Sequence, residues 1–259
     1  MDTILNDIKN KLNIEINDIY NFKDGTTDSL VFSINNEYLI KTLSKEELNI
    51  YKIFFSLYKD NDYFQKVIYI NNKLNYICFK FFEGNRFQDI KYDYKKAIEE
   101  IYNITKSYKV INYDFYGYLD YKVNTPYEFL LSEVEYAKEK LYEMNIDKVY
   151  DAINSIKDYN YPKYLLHGDF GIHNFIVSSN KIKVIDPMPL VFDPLYDFYF
   201  ACLSSSFLIK KIDLIFKYYE RDNNYKKNLF IIVFFIRMSR AYVYDKEHFN
   251  DYLKIYKRL

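Results

Sequence analysis

Between Leu165 and Asp186 the chain places histidines, aspartates and an asparagine at spacings that suit phosphoryl transfer. The run Leu165-Leu166-His167-Gly168-Asp169-Phe170-Gly171-Ile172-His173-Asn174-Phe175-Ile176-Val177 is followed by Lys183-Val184-Ile185-Asp186. Apolar, strand-like residues flank the polar stretch, so Asp169 and Asn174 fall on a turn between strands and a second strand delivers Asp186. Moving a γ-phosphoryl group requires a carboxylate that orients and deprotonates the acceptor hydroxyl, and oxygen ligands for the Mg²⁺ that bridges the phosphates. Asp169 suits the first role, and Asn174 and Asp186 suit the second. An Asp, an Asn five residues on and an Asp twelve beyond that supply one base and two oxygen ligands in that order.

The scarce residues gather at the same place. With only five glycines, five prolines and three histidines in 259 residues, Gly168, Gly171, His167, His173 and four of the prolines fall between Pro162 and Pro194. Glycine kept there by a glycine-poor chain points to unusual backbone angles or close approach. His167 is expected to orient the loop by hydrogen bonding, and His173 to pack the loop or meet the acceptor, since Mg²⁺ prefers oxygen ligands.

This segment resembles the aminoglycoside phosphotransferase and choline kinase group of protein-kinase-like enzymes, whose signature is His-Gly-Asp, four residues, Asn, and later Ile-Asp. His167, Gly168, Asp169, Asn174, Ile185 and Asp186 match it, and Asp193-Pro194-Leu195-Tyr196-Asp197 is similar to the Asp-Pro-x-x-Asp that follows. Taken alone, Asp197 reads as a helix N-cap. The resemblance runs over nearly the whole chain and implies an α+β, two-lobed protein-kinase-like fold. A small antiparallel-sheet lobe would span residues 1–84 and a larger, mainly helical lobe 85–259, with the active site in the inter-lobe cleft. It implies Mg²⁺, ATP or GTP as phosphate donor, and a hydroxyl of an aminoglycoside-type antibiotic as acceptor. The alternatives are a choline-like or sugar metabolite, or a catalytically inactive nucleotide-binding module, against which the intact Lys41, Asp169, Asn174 and Asp186 argue.

The first lobe is marked more faintly. In Tyr38-Leu39-Ile40-Lys41-Thr42-Leu43 a single lysine sits within an apolar strand, either where a phosphate-binding lysine would lie or as a side chain reaching to solvent from an edge strand. The next helix offers Glu46 and Glu47 as its ion-pair partner. Glu47 shares helical spacing with Ile50, Phe54 and Leu57, which predicts that it points inward. Asp24-Gly25-Thr26-Thr27-Asp28-Ser29 is either a simple turn or, by resemblance, the loop in which Gly25, Thr26 and Thr27 cover the phosphates. By the same resemblance the backbone of Lys80 and Phe82, in Phe79-Lys80-Phe81-Phe82-Glu83-Gly84, would hold the base.

The elements that must position these residues follow from periodicity. A helix is predicted over Asn6 to Tyr20, then strands Ser29 to Ile34 and Tyr38 to Leu43 about a tight Asn35-Asn36 turn. Ser44, with Glu47 three residues on, opens a helix to about Asp60. Strands Phe64 to Ile70 and Leu74 to Phe82 close a small sheet, and from Glu83-Gly84 onward the pattern turns helical: Tyr92 to Tyr108, Pro126 to Met144, Lys148 to Asp158, and a series after Asp197.

Bulk composition bounds the rest. Lys plus Arg (36) balances Asp plus Glu (36) with no long block of one sign, so the basic footprint of a nucleic-acid binder is missing and a small-molecule partner is expected. The N-terminus has acids where a signal peptide needs bases, and the longest apolar run, Leu229 to Ile236, is too short to span a bilayer. Cys78 and Cys202 lie far apart in apolar surroundings and read as buried free thiols, which favours a reducing, cytoplasmic setting. The 31 tyrosines serve packing, since each has an apolar body and a polar tip.

Overall fold

A computed structural model describes residues 1–22, 29–178 and 181–258. Gly25, Thr26 and Thr27, candidates for covering the phosphates, lie outside the described residues. The chain divides into two compact units: Met1–Arg86 with Phe175–Ile185, and Phe87–Asn174 with Asp186–Leu259.

The first unit carries a five-stranded antiparallel sheet of β1 (Ile19–Phe22), β2 (Val31–Ile34), β3 (Tyr38–Thr42), β4 (Val67–Asn71) and β5 (Tyr76–Lys80), in the order β1-β2-β3-β5-β4. Asn35 and Asn36 take φ of 54° and 51°, the left-handed conformation that a tight hairpin turn requires and that asparagine tolerates. Helix α1 (Asp2–Leu12) stops well short of the expected Tyr20, because Asn13 adopts a left-handed cap at φ 52° and frees the following residues to form β1. Ile8 of α1 meets Phe32, Ile34, Ile40, Tyr76 and Cys78 of the sheet in a fully buried cluster. Burial pushes the Cys78 thiol up to about 12, so it stays protonated.

Helix α2 (Lys45–Leu57) begins at Ser44 as expected. The Ser44 hydroxyl accepts from the Glu47 N–H at 3.1 Å, and the Glu47 carboxylate accepts from the Ser44 N–H at 2.7 Å. The face it buries is Leu48, Tyr51, Phe54 and Phe55, with Phe54 packed edge-on against Phe64 at 4.9 Å between centroids.

A second, three-stranded sheet completes this unit. The strand Phe175–Ser178 pairs on one side with Lys181–Val184 and on the other with β6 (Asn85–Arg86), in register Ile176↔Arg86 and Val177↔Asn85. The Val184 N–H donates to the Tyr63 carbonyl at 2.8 Å. These main-chain bonds are why the hairpin packs with the first unit, where a single boundary after Gly84 would assign it to the second, and why that second unit begins at Phe87.

The second unit is mainly helical: α3 (Tyr94–Lys106), α4 (Pro126–Lys140), α5 (Asp147–Ile156), α6 (Pro194–Leu203), α7 (Ile212–Ile215), α8 (Asn223–Tyr244) and α9 (Lys246–Tyr256). A small sheet orders the strands Lys122–Val123, Tyr116–Tyr118, Leu190–Phe192 and Tyr164–Leu166 side by side. Helix starts follow local rules: Thr125 caps α4 with Pro126 in its first turn, and Asp193 caps α6 with Pro194 following. Asp193 is therefore the N-cap of α6, and Asp197 is left for another task. Residues Leu229 to Ile236 are buried as the centre of α8, and no helix of the described residues is long and apolar enough to cross a membrane.

Candidate functional site

The strand Tyr164–Leu166 delivers His167 into the core, where it is fully buried. Gly168 follows at φ +82°, and a Cβ there would lie 1.8 Å from the Met188 carbonyl oxygen, so any other residue would break this crossing. The Met188 N–H in turn donates to the His167 carbonyl at 2.8 Å. Asp197, buried in the first turn of α6, anchors the loop from below. Its Oδ2 accepts from the N–H groups of His167 (2.9 Å) and Gly168 (3.1 Å) and from the Tyr108 hydroxyl (2.8 Å). His167 thus contributes to the loop through its backbone.

Burial raises the Asp197 carboxyl to about 7, although these three hydrogen bonds pull the other way. The native state keeps a proton that an unfolded aspartate releases near pH 4, so stability falls as pH rises from about 4 to about 7 and levels off above. Asp197→Asn lacks this titration. Between pH 5 and pH 8, urea unfolding of the wild type should lose about 2–3 kcal/mol relative to Asp197→Asn. Parallel curves for the two proteins would show that Asp197 is ionised throughout.

Asp169 is gripped on both oxygens. Asn174 Nδ2 donates to its carbonyl at 2.8 Å and to its Oδ2 at 3.1 Å, while Arg240 Nη1 donates to its Oδ1 at 3.1 Å. His173 Nε2 stands 3.5 Å from Oδ2. Burial opposes ionisation here, but the hydrogen bond to His173 and the Arg240 charge outweigh it and hold the carboxyl well below the usual carboxylate range. An ionised carboxylate with its orientation fixed is what a hydroxyl about to lose its proton needs.

With its amide nitrogen committed to Asp169, Asn174 presents Oδ1 as the donor it can offer a cation. Asp186 is exposed and takes the left-handed conformation at φ 56°. Among the described residues no group of three His, Cys, Asp or Glu could hold a metal by itself. Two oxygen donors fit Mg²⁺, which binds protein through one or two side chains and fills its shell with water and phosphate oxygens.

Helix α4 supplies a second carboxylate. Glu133 accepts at long range from the hydroxyls of Tyr118 (3.4 Å) and Tyr196 (3.5 Å). Burial raises its carboxyl, opposed by the charge of Arg240.

In the first unit, Lys41 of β3 donates from Nζ to the Tyr51 hydroxyl at 3.0 Å and lies 5.3 Å from the Tyr51 ring centroid. Glu47 is exposed and spends its carboxylate on the Ser44 cap. The inward orientation expected of it is corrected: of its predicted stripe only Phe54 is buried, and the buried face runs through Leu48, Tyr51, Phe54 and Phe55. Lys80 ends β5 and gives its N–H to the Lys66 carbonyl at 2.8 Å, so a hydrogen bond from a base would have to use its carbonyl oxygen. Phe82 is half-buried just beyond.

No family model matches the sequence, and no curated protein matches it at the level of sequence. Solved structures do match along nearly the whole chain. The choline kinase LicA from Streptococcus pneumoniae superposes with a TM-score of 0.66 at 17% identity, covering 100% of this chain and 99% of that one. A thermostable mutant of the aminoglycoside phosphotransferase APH(4)-Ia, in a ternary complex with AMP-PNP and hygromycin B, gives 0.64 at 14% identity, covering 99% and 96%. The aminoglycoside phosphotransferase APH(2")-IIia, in complex with GDP and kanamycin, gives 0.62 at 13% identity, covering 99% and 97%. The chain therefore has the α+β, protein-kinase-like fold of these small-molecule kinases.

Proposed function

We propose that the protein is a Mg²⁺-dependent small-molecule O-phosphotransferase that moves the γ-phosphate of ATP or GTP to an acceptor hydroxyl. The observation that carries this reading is the grip on Asp169 by Asn174 and Arg240, which fixes an ionised carboxylate beside an amide oxygen available to a metal. Asp169 takes the acceptor proton as the acceptor oxygen bonds to phosphorus and the bond to the nucleoside diphosphate breaks. Asn174 Oδ1 and the Asp186 carboxylate would hold the Mg²⁺, which would supply charge neutralisation for the phosphates. Lys41, steadied by Tyr51, grips the phosphates. The backbone of Lys80 and Phe82 holds the base.

Two acceptor readings stand. The aminoglycoside phosphotransferases among the structural neighbours favour an aminoglycoside-type antibiotic, and so a role in resistance. The state of α4 favours a hydroxylated metabolite of sugar or choline type, because two of its four carboxylates are engaged elsewhere. Glu128 accepts from the Asn124 N–H, and Glu135 from the Tyr150 hydroxyl beside Lys138, leaving Glu133 as the one that interacts with Arg240. A phosphorylation screen of aminoglycosides, choline analogues and sugars with ATP and GTP, together with drug-resistance assays on expressing cells, decides between them. ATP turnover at background with every acceptor would instead leave a nucleotide-binding module.

Lys41→Ala is expected to lower kcat/KM for nucleotide by about 100-fold or more, through misplaced phosphates. Tyr51→Phe, which removes the hydroxyl and keeps the ring under the lysine, should cost a few-fold in the same parameter, and the double variant should be little worse than Lys41→Ala. Glu47→Gln should lower stability by about 1 kcal/mol or less through the cap and leave kinetics alone. Additive losses at Lys41 and Tyr51 would detach Tyr51 from the phosphate site.

A further inference from the structure

The two oxygens of Asp169 face different neighbours. Oδ2 faces Asn174, proposed above to hold the metal, and His173. Oδ1 belongs to Arg240, which α8 brings in with its guanidinium 4.9 Å from the Phe200 ring centroid, next to Arg237 at 4.6 Å from the same ring. Arg237 is buried, whereas the Arg240 side chain remains 32% exposed and keeps N–H donors beyond the one given to Asp169. Beyond it Glu133 rests on the buried phenols Tyr118 and Tyr196. A molecule that brings a hydroxyl to Oδ1 therefore meets a guanidinium first, with one carboxylate behind it.

Resting on the kinase reading, we infer that Arg240 is an acceptor-binding residue and that the acceptor is a polyol whose reacting hydroxyl has an oxygen on the adjacent carbon. A guanidinium has five N–H donors in a fixed fork; one is given to Asp169, and its neighbours can bind a second oxygen of the same ligand. Adjacent hydroxyls on a carbon chain or ring stand at about the spacing of a hydrogen-bonded pair, which matches Asp169 Oδ1 and Arg240 Nη1 side by side. An amino alcohol such as choline carries its cation two carbons from the hydroxyl, where it would be pressed against Arg240. Sugars and the sugar rings of aminoglycosides satisfy the arrangement, and for the latter Glu133 can take an amine.

The test uses the full chain with MgATP and measures ADP release and phosphorylated product for kanamycin A, myo-inositol and gluconate against choline and ethanolamine. At least one polyol should be phosphorylated and neither amino alcohol should be. For that polyol, Arg240→Ala should raise KM on the order of 10- to 100-fold, with a smaller fall in kcat. Arg240→Gln guards against misfolding by keeping a donor. Arg240→Lys should recover only part of KM, because one ammonium cannot bridge Asp169 and the ligand in the same geometry. A wild type that releases ADP from MgATP yet phosphorylates choline, or none of the polyols, overturns the inference and leaves the kinase reading standing. An unchanged KM in Arg240→Ala does the same. Absence of ADP release under every condition overturns the kinase reading, and this inference with it.

Discussion

Asp169→Asn is expected to reduce kcat by roughly 100- to 10,000-fold, the usual contribution of a positioned general base. The amide has the shape of the carboxylate but cannot accept a proton from the acceptor. Its oxygen can keep one of the two grips, from Arg240 or from Asn174, while its NH₂ must face the other donor. The side chain is 26% exposed, so water can take up the mismatch and the folded state should survive. Thermal unfolding within a few degrees of wild type and unchanged MgATP binding by calorimetry would accompany the loss of turnover. A variant with near wild-type kcat would remove Asp169 from the chemistry.

The second large effect is expected at Asp186. Asp186→Ala should weaken MgATP binding and lower kcat/KM by about 100-fold or more, since the carboxylate is the charged member of the proposed pair of metal ligands. Alanine also fits poorly at φ 56°, at a cost of about 1–2 kcal/mol. Asp186→Asn separates the two causes, because asparagine tolerates the left-handed conformation and lacks only the charge. Titration with ATP in the presence of Mg²⁺ and of a chelator is the measurement. If both variants kept the wild-type dependence on Mg²⁺, Asp186 would be a loop residue of structural value alone.

The geometry of the His167–Asn174 loop was legible because its requirements are local. Gly168 had to be glycine for the Met188 crossing, Asn174 had to reach back five residues to Asp169, and such short-range demands fix residue types at fixed spacings. The capping box at Ser44 and the Asn35-Asn36 turn were legible for the same reason. What escaped depends on contacts distant in sequence. Asp197 reads as a cap until Tyr108 and the backbone of His167 and Gly168 arrive from elsewhere. Tyr51 is one of 31 tyrosines, and nothing in its spacing marks it as the partner of Lys41. Glu47 was misread because two helical stripes one residue apart look alike in a helix rich in aromatics, and the capping box claimed its carboxylate. Arg240 did leave a trace: the chain has five arginines, and two of them, Arg237 and Arg240, fall within four residues after the longest apolar stretch. A cation retained there must have a buried partner or a ligand.

The strand pairing of β6 also sets a timetable for the nascent chain. Its strand partner, Phe175–Ser178, is translated about 90 residues after Arg86. At about 5–20 residues per second the ribosome needs several seconds to supply it. Until then the first unit has one of its two sheets, and the Tyr63 carbonyl waits for the Val184 N–H. A gene fragment ending at residue 86 would make that interim state permanent. The first unit can reach its full structure only once the loop bearing Asp169 and Asn174 has been synthesised.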